Sequence, residues 1–136
     1  MGFKIIPHTA DAGIEVWADS LAELFEEAAR GMFQLIVPEG VNPIHKVVIE
    51  VHGDTYEDLL HDWLAELLYK FEVDKQLFCK FKTVELTDKR YIGEAYGEPY
   101  DPNRHVLELG IKAVTYHRLK IQEPPPNWRT DLIFDT

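Results

Sequence analysis

His45-Lys46-Val47-Val48-Ile49-Glu50-Val51-His52-Gly53-Asp54-Thr55-Tyr56-Glu57-Asp58-Leu59-Leu60-His61-Asp62-Trp63-Leu64-Ala65-Glu66-Leu67-Leu68-Tyr69-Lys70-Phe71 changes its hydrophobic period half-way along. Up to His52, Val47, Ile49 and Val51 fall on one side and Glu50 and His52 on the other, the two-residue period of a half-buried strand. Gly53-Asp54-Thr55 ends that strand and offers Asp54 or Thr55 as a helix N-cap. From Leu59 the spacing becomes helical: Leu59, Leu60, Trp63, Leu64, Leu67, Leu68 and Phe71 form one apolar stripe over about four turns.

The same strand-then-helix order stands upstream. Residues 3–6 and 13–18 read as short strands around the polar corner His8-Thr9-Ala10-Asp11, with Ile14, Val16 and Ala18 alternating against Glu15, Trp17 and Asp19. Ser20-Leu21-Ala22-Glu23 is a capping box with Glu23 at N3. Leu21, Leu24, Phe25, Ala28 and Met32 continue it as an apolar stripe that ends at the breaker cluster Val37-Pro38-Glu39-Gly40. Downstream of residue 76 the pattern is strand after strand. Phe78, Phe81 and Val84–Leu86 mark one, Thr87-Asp88-Lys89-Arg90 a turn, and Tyr91–Tyr96 the hairpin partner. Gly97–Asn103 reads as a loop because of its two prolines. Residues 109–122 read as one long strand, Pro124-Pro125-Pro126-Asn127 as a turn, and Trp128–Phe134 as the last strand. Helices first and antiparallel strands after predict an α+β fold: an antiparallel or mixed β-sheet with two amphipathic helices packed on it, in a single compact domain over residues 1–136.

Composition narrows the function. The chain has 136 residues and an ordinary apolar fraction of 46%, enough to build a core without crosslinks. Its one cysteine, Cys79, excludes an internal disulfide and fits a reducing compartment. No apolar run approaches the ~20 residues of a membrane span. The N-terminus reads directly into a strand with no signal-peptide core, and Ile6 stands where a myristoylation motif wants Ser or Thr. The expected location is the cytoplasm, without membrane attachment. The net charge of −10 argues against strong direct binding of nucleic acid, which needs a basic surface. Arg104, His105, Lys112, His117, Arg118 and Lys120 are close in sequence and read as scattered solvent-facing charges.

Chemistry is sparse. There is no phosphate-binding glycine loop with its lysine and no cysteine zinc spacing. Cys79 follows Phe78 in a strand without an acidic or histidine context and reads as structural. His61-Asp62, with Glu66 one turn on, reads as the solvated side of the second helix. Two places hold more. In His8-Thr9-Ala10-Asp11-Ala12-Gly13, a histidine, a hydroxyl and a carboxylate crowd a corner where Gly13 permits close backbone approach; Asp11 either caps that turn or serves a site. At the other end, an apolar strand runs to Ile133-Phe134-Asp135-Thr136. If it lies near Asp11, two aspartates and the Thr136 carboxylate converge. Such oxygens suit Ca²⁺, Mg²⁺ or Mn²⁺.

Five segments together resemble the archease family. They are His8-Thr9-Ala10-Asp11 with Gly13-Ile14, Leu59–Tyr69, Gly97–His105, Ile111-Lys112-Ala113-Val114-Thr115-Tyr116-His117, and Ile133-Phe134-Asp135. They run over essentially the whole chain in the family's order. Ala12 in place of a larger aliphatic residue, the triple proline and the final Thr136 depart from the pattern.

The resemblance implies a non-catalytic accessory factor for an RtcB-type RNA ligase in tRNA splicing, tRNA processing and RNA repair. That ligase uses GTP and Mn²⁺, passing through a guanylylated histidine, and the accessory factor promotes guanylylation and multiple turnover. By the same resemblance, Asp11, Asp135 and Thr136 are the implied ligands of a divalent metal ion, Ca²⁺ in vitro with Mn²⁺ or Mg²⁺ as alternatives. His8 is a minor candidate beside them. Lys112 is the implied basic residue toward the partner, so that Asp11, Lys112 and Asp135 are the residues essential to activation. Whether GTP touches this chain, and whether the chain forms a homo-oligomer, stay open. Two other readings compete: a stand-alone metal-dependent phosphoesterase on the same carboxylates, and a general chaperone-like binding module.

Overall fold

A computed structural model describes residues 1–6 and 11–136. The corner residues 7–10, His8 and Thr9 among them, lie outside the described residues.

The chain order is β1 (Gly2–Ile6), β2 (Ala12–Ala18), α1 (Leu21–Ile36), β3 (His45–His52), α2 (Tyr56–Asp74), β4 (Gln76–Leu86), β5 (Arg90–Pro99), β6 (Ala113–Val114) and β7 (Trp128–Asp135). The strands divide into two sheets, β1-β2-β7-β6 and β3-β5-β4, and every pairing among them is antiparallel. Each helix touches both sheets: α1 lies on β1, β2 and β7 and also on β4, while α2 lies on β3, β4 and β5 and also on β6. The core is therefore shared by all four elements.

Local signals place the helices as the sequence predicts. Ser20 caps α1, its Oγ accepting from the Glu23 N–H at 3.1 Å. The Glu23 carboxylate accepts from the Ser20 hydroxyl at 2.9 Å, so the box closes on itself through its two side chains. Thr55 caps α2 by accepting from Asp58 N–H at 3.1 Å. The α2 stripe from Leu59 to Leu68 is buried, and so are Leu24, Phe25, Ala28 and Met32 of α1. Trp63 joins the two helices by donating its indole N–H to Phe25 O at 3.1 Å. Its ring meets Tyr91 edge-on at 5.0 Å between centroids, a favoured aromatic geometry.

Two segments differ from the sequence reading. β5 continues through Gly97 and Glu98 to Pro99, where Gln76 pairs with Pro99 at the strand's end. A proline is tolerated there because it is the last residue of the strand. Residues 109–122 do not form one long strand. Only Ala113–Val114 pairs with β7, and an isolated bridge joins Gln122 to Arg129. Between them Leu119 N–H bonds Tyr116 O at 3.1 Å, and Arg118 takes a left-handed φ of 61°. Apolar residues alternate on either side of the turn, at Leu109, Ile111 and Ala113 and again at Leu119 and Ile121, and so imitate one strand, while Tyr116, His117 and Arg118 within it are all exposed. Among the described residues no helix is long and apolar enough to cross a membrane.

Candidate functional site

β7 is flanked by β2 on one side and β6 on the other, and its last residues meet the start of β2 and the whole of β6. Ala12 pairs with Phe134 and Gly13 with Ile133. Carried one residue further, this antiparallel register brings Asp11 level with Asp135, and side chains directly opposite in such a pair share a face. Phe134, Leu132 and Ile14 point into the core, fully buried or nearly so. Alternation along the strands turns Asp11 and Asp135 the other way. Asp11 is half-buried and Asp135 exposed. Gly13 explains the close fit beneath them: a Cβ there would lie 2.8 Å from Ile133 Cδ1.

On the other flank, Ala113 pairs with Asp135, and Lys112 donates its backbone N–H to Asp135 O at 2.7 Å. Lys112 is exposed. The fold thus brings Asp11, Lys112 and Asp135 to one end of a three-strand ribbon, with Thr136 next in the chain. Among the described residues no group of three or more His, Cys, Asp or Glu side chains is arranged to hold a metal ion. The donors this ribbon end offers are two side-chain carboxylates and the oxygens of Thr136. Hard oxygens of this kind fit Mg²⁺, Mn²⁺ or Ca²⁺, and so few of them fit a cation that keeps waters or shares other ligands.

The remaining polar residues sort themselves around the chain. Arg104 and His105 do not join a basic patch. Arg104 pairs with Glu98, His105 Nε2 lies 3.2 Å from the same carboxylate, and Asn42 N–H donates to it at 2.6 Å. The Asp101 N–H donates to His105 Nδ1 at 2.9 Å, which makes Nε2 the protonated nitrogen facing Glu98. Arg118 pairs instead with Asp131 at 2.7 Å. Burial, then the Glu98 carboxylate, pushes the half-buried Cys79 thiol up, away from nucleophilic character. Trp17, Tyr100 and Trp128 are each half-buried, and the latter two pack against the core.

The Glu98 cluster gives a pH signature that the sequence did not suggest. The Asn42 N–H first of all, with His105 and Arg104, holds the Glu98 carboxyl below its ordinary range, although burial opposes them. A carboxyl depressed on folding adds stability above its unfolded value of about 4.3 and loses it as the pH falls through the folded value. The stability difference between wild type and Glu98→Gln is therefore expected to be constant from neutral pH down to about 5 and to shrink below about 4. Urea midpoints across that range measure it; a difference that holds unchanged into acid contradicts the assignment.

The sequence reads His61 as part of the solvated side of α2; the structure instead turns its ring to the segment around β6. Its Nε2 lies 2.9 Å from Val114 O and its Nδ1 2.9 Å from Asp62 Oδ1. Its ring stacks on Tyr116 at 4.1 Å between centroids and 11° between planes. The partners are on β6 and just beyond it, too far along the chain for helical spacing to reveal.

Comparison with known proteins finds similarity over nearly the whole chain. The Archease protein family (MTH1598/TM1083) matches residues 3–136. A protein named archease from Methanopyrus kandleri is 41% identical over 99% of this chain and 99% of its own length. One from Pyrococcus furiosus is 42% identical over 94% of each. The solution structure of Methanobacterium thermoautotrophicum protein 1598 superposes with a TM-score of 0.82 at 30% identity, covering 99% of both chains. A Thermotoga maritima crystal structure described as an archease, possible chaperone, shares the fold with a TM-score of 0.67 at 22% identity, over 98% of this chain and 96% of that one.

Proposed function

Since this chain belongs to the archease family, we propose that it is a non-catalytic accessory factor that activates an RtcB-type RNA ligase in tRNA splicing and RNA repair. In this reading it promotes GTP-dependent guanylylation of the ligase histidine and so sustains turnover. The observation that carries the reading is the meeting of Asp11, Lys112 and Asp135 at one end of the β2–β7–β6 ribbon. These are the positions that the resemblance nominates, drawn from three distant parts of the chain.

Each residue has a role that its chemistry suits. Asp11, Asp135 and Thr136 would hold a divalent cation, whose charge would offset that of phosphate groups when bound. The Asp11 and Asp135 carboxylates, side by side, also present negative charge to a cationic ligase site. Lys112, on the neighbouring segment, offers an ammonium group to a triphosphate or to a ligase carboxylate. An acidic factor of net charge −10 complements such a site, and the ligase holds the RNA itself.

The test is RNA joining by a purified RtcB-type ligase with GTP and Mn²⁺, with and without substoichiometric amounts of this protein. The expected result is conversion of a single turnover into sustained turnover. No change with a cognate ligase contradicts the reading. Hydrolysis of phosphate esters by the protein alone with Mn²⁺ would replace it with a phosphoesterase, and equal rescue of unrelated unfolded clients would replace it with a chaperone-like module.

A further inference from the structure

β6 is two residues long, yet it and the residues beside it carry Lys112 and the backbone partner of Asp135. Two ladder positions cannot hold a segment rigid, because so short a strand forfeits few bonds when it opens. Other contacts must seat it, and the structure shows which.

His61 of α2 reaches across to this segment. A carbonyl oxygen only accepts, so the 2.9 Å contact between His61 Nε2 and Val114 O is donated by the ring. Asp62 Oδ1 lies 2.9 Å from Nδ1 on the ring's other side. Tyr116 lies flat against the same ring, and its hydroxyl donates to Asp58 Oδ1 at 3.0 Å, one turn earlier on α2. Burial first, then the bond to Asp58, pushes the Tyr116 phenol up to about 12. It therefore stays protonated and keeps donating at neutral pH. Asp58 and His61 thus hold residues 114 and 116 from one face of the helix, while Lys112 and Thr115 bond β7 from the other side, their N–H groups donating to Asp135 O and Ile133 O at 2.7 and 3.1 Å.

We propose that His61 is a positioning residue for activation: by clamping Val114 O, with Tyr116 stacked upon it, it sets the Lys112 segment against Asp135 at the end of β7. This rests on the accessory-factor reading above and goes beyond it by assigning a role to a helix residue that touches neither cation nor partner. The side of α2 around His61 is then a support for the ribbon end and not merely a solvated surface.

The test uses the full chain. His61→Ala is expected to keep the fold and the thermal midpoint within a few degrees of wild type. The amide exchange of Lys112 and Thr115 should rise roughly five- to tenfold, the opening expected when one hydrogen bond is lost. The maximal stimulated guanylylation rate should fall by a similar factor at saturating protein, a loss that reduced stability alone does not produce well below the midpoint. His61→Gln, whose amide can still donate to Val114 O, is expected to restore both. If His61→Ala does not fold, the exposed Tyr116 gives a second route, since Tyr116→Leu removes the stacked ring at little cost to the core. Wild-type exchange and activation in a folded His61→Ala, or in Tyr116→Leu if that variant is needed, overturn the proposal. The wild-type protein and Asp11→Ala run alongside separate the two ideas. If wild type itself leaves the ligase unchanged, the accessory-factor reading has failed; if wild type activates and Asp11→Ala does not, while His61→Ala is normal, only the positioning role has.

Discussion

Gly97→Ala is expected to lower the thermal midpoint by roughly 10 °C. A Cβ built on Gly97 lies 1.7 Å from Leu77 O, 2.7 Å from Leu77 C and 2.8 Å from Phe78 Cα. All three are backbone atoms of β4, so no side chain can rotate out of the way. Gly97 is also held on both sides, pairing with Phe78 on β4 and His45 on β3, just where the β4 register shifts between Phe78 and Lys80. The added methyl has to push two strands apart. Overpacking of a fixed neighbour costs about 3 kcal/mol at the upper end of its usual range, and in a domain of this size each kcal/mol is worth a few degrees. Gly13→Ala is the control, because the tightest contact of its Cβ, at 2.8 Å, would be with the tip of the Ile133 side chain, which can shift, while Leu132 O and Ile6 Cβ would lie at 3.4 and 3.5 Å. Thermal melts of the two variants side by side measure the contrast; equal midpoints contradict it.

Asp11→Ala is expected to abolish the proposed ligase activation while leaving the fold intact. Asp11 stands just before β2, half-buried and outside the core cluster. The β2–β7 ladder from Ala12 to Ala18 does not depend on its side chain. The loss is therefore expected in function, not in stability. Removing even an outer partner of a metal ligand typically costs 10- to 100-fold, so removing a proposed ligand is expected to lower stimulated turnover by about 100-fold or more. Asp135→Ala is expected to match it, and the double variant to lose no more than either alone, since the two carboxylates act as one unit. Stimulated turnover measured beside a circular dichroism spectrum checks this. Wild-type activation by a folded Asp11→Ala would sink the proposed role of the carboxylates.

The fold was legible wherever one local signal governs one element. Ser20 and Thr55 cap their helices, and the Leu59–Leu68 stripe is the buried side of α2, because capping and helical periodicity act within a few residues. Strand division was not legible. Whether β3, β4 and β5 continue the sheet of β1, β2 and β7 depends on pairings between distant segments, and nothing in a strand's own alternation selects its neighbour. The turn at 116–119 misled for a related reason: apolar residues alternate on both sides of it, and a left-handed arginine at residue 118 has no sequence signature.

The candidate site was legible only in part. Asp11 and Asp135 stood out as carboxylates at a corner and at a strand end, but their meeting follows from the β2–β7 register, and Lys112 drew notice through the family resemblance alone. His61, Arg104 and His105 were noticed but read as solvent-facing, so the Glu98–His105–Arg104 cluster and the His61 clamp went unrecognised. Each links a residue to a backbone group or a side chain whose place is set by the tertiary fold, so a charged residue that is buried and satisfied looks the same in sequence as one that faces water.

On the proposed function, this chain accelerates the guanylylation of a ligase histidine through the carboxylates at the end of β7. The most direct measurement is the rate at which labelled GTP transfers its guanylyl group to a purified RtcB-type ligase in Mn²⁺, alone, with the wild-type protein and with Asp11→Ala. The account predicts a faster rate with wild type and the unassisted rate with Asp11→Ala. A rate that wild type leaves unchanged, or that both proteins raise equally, would contradict it.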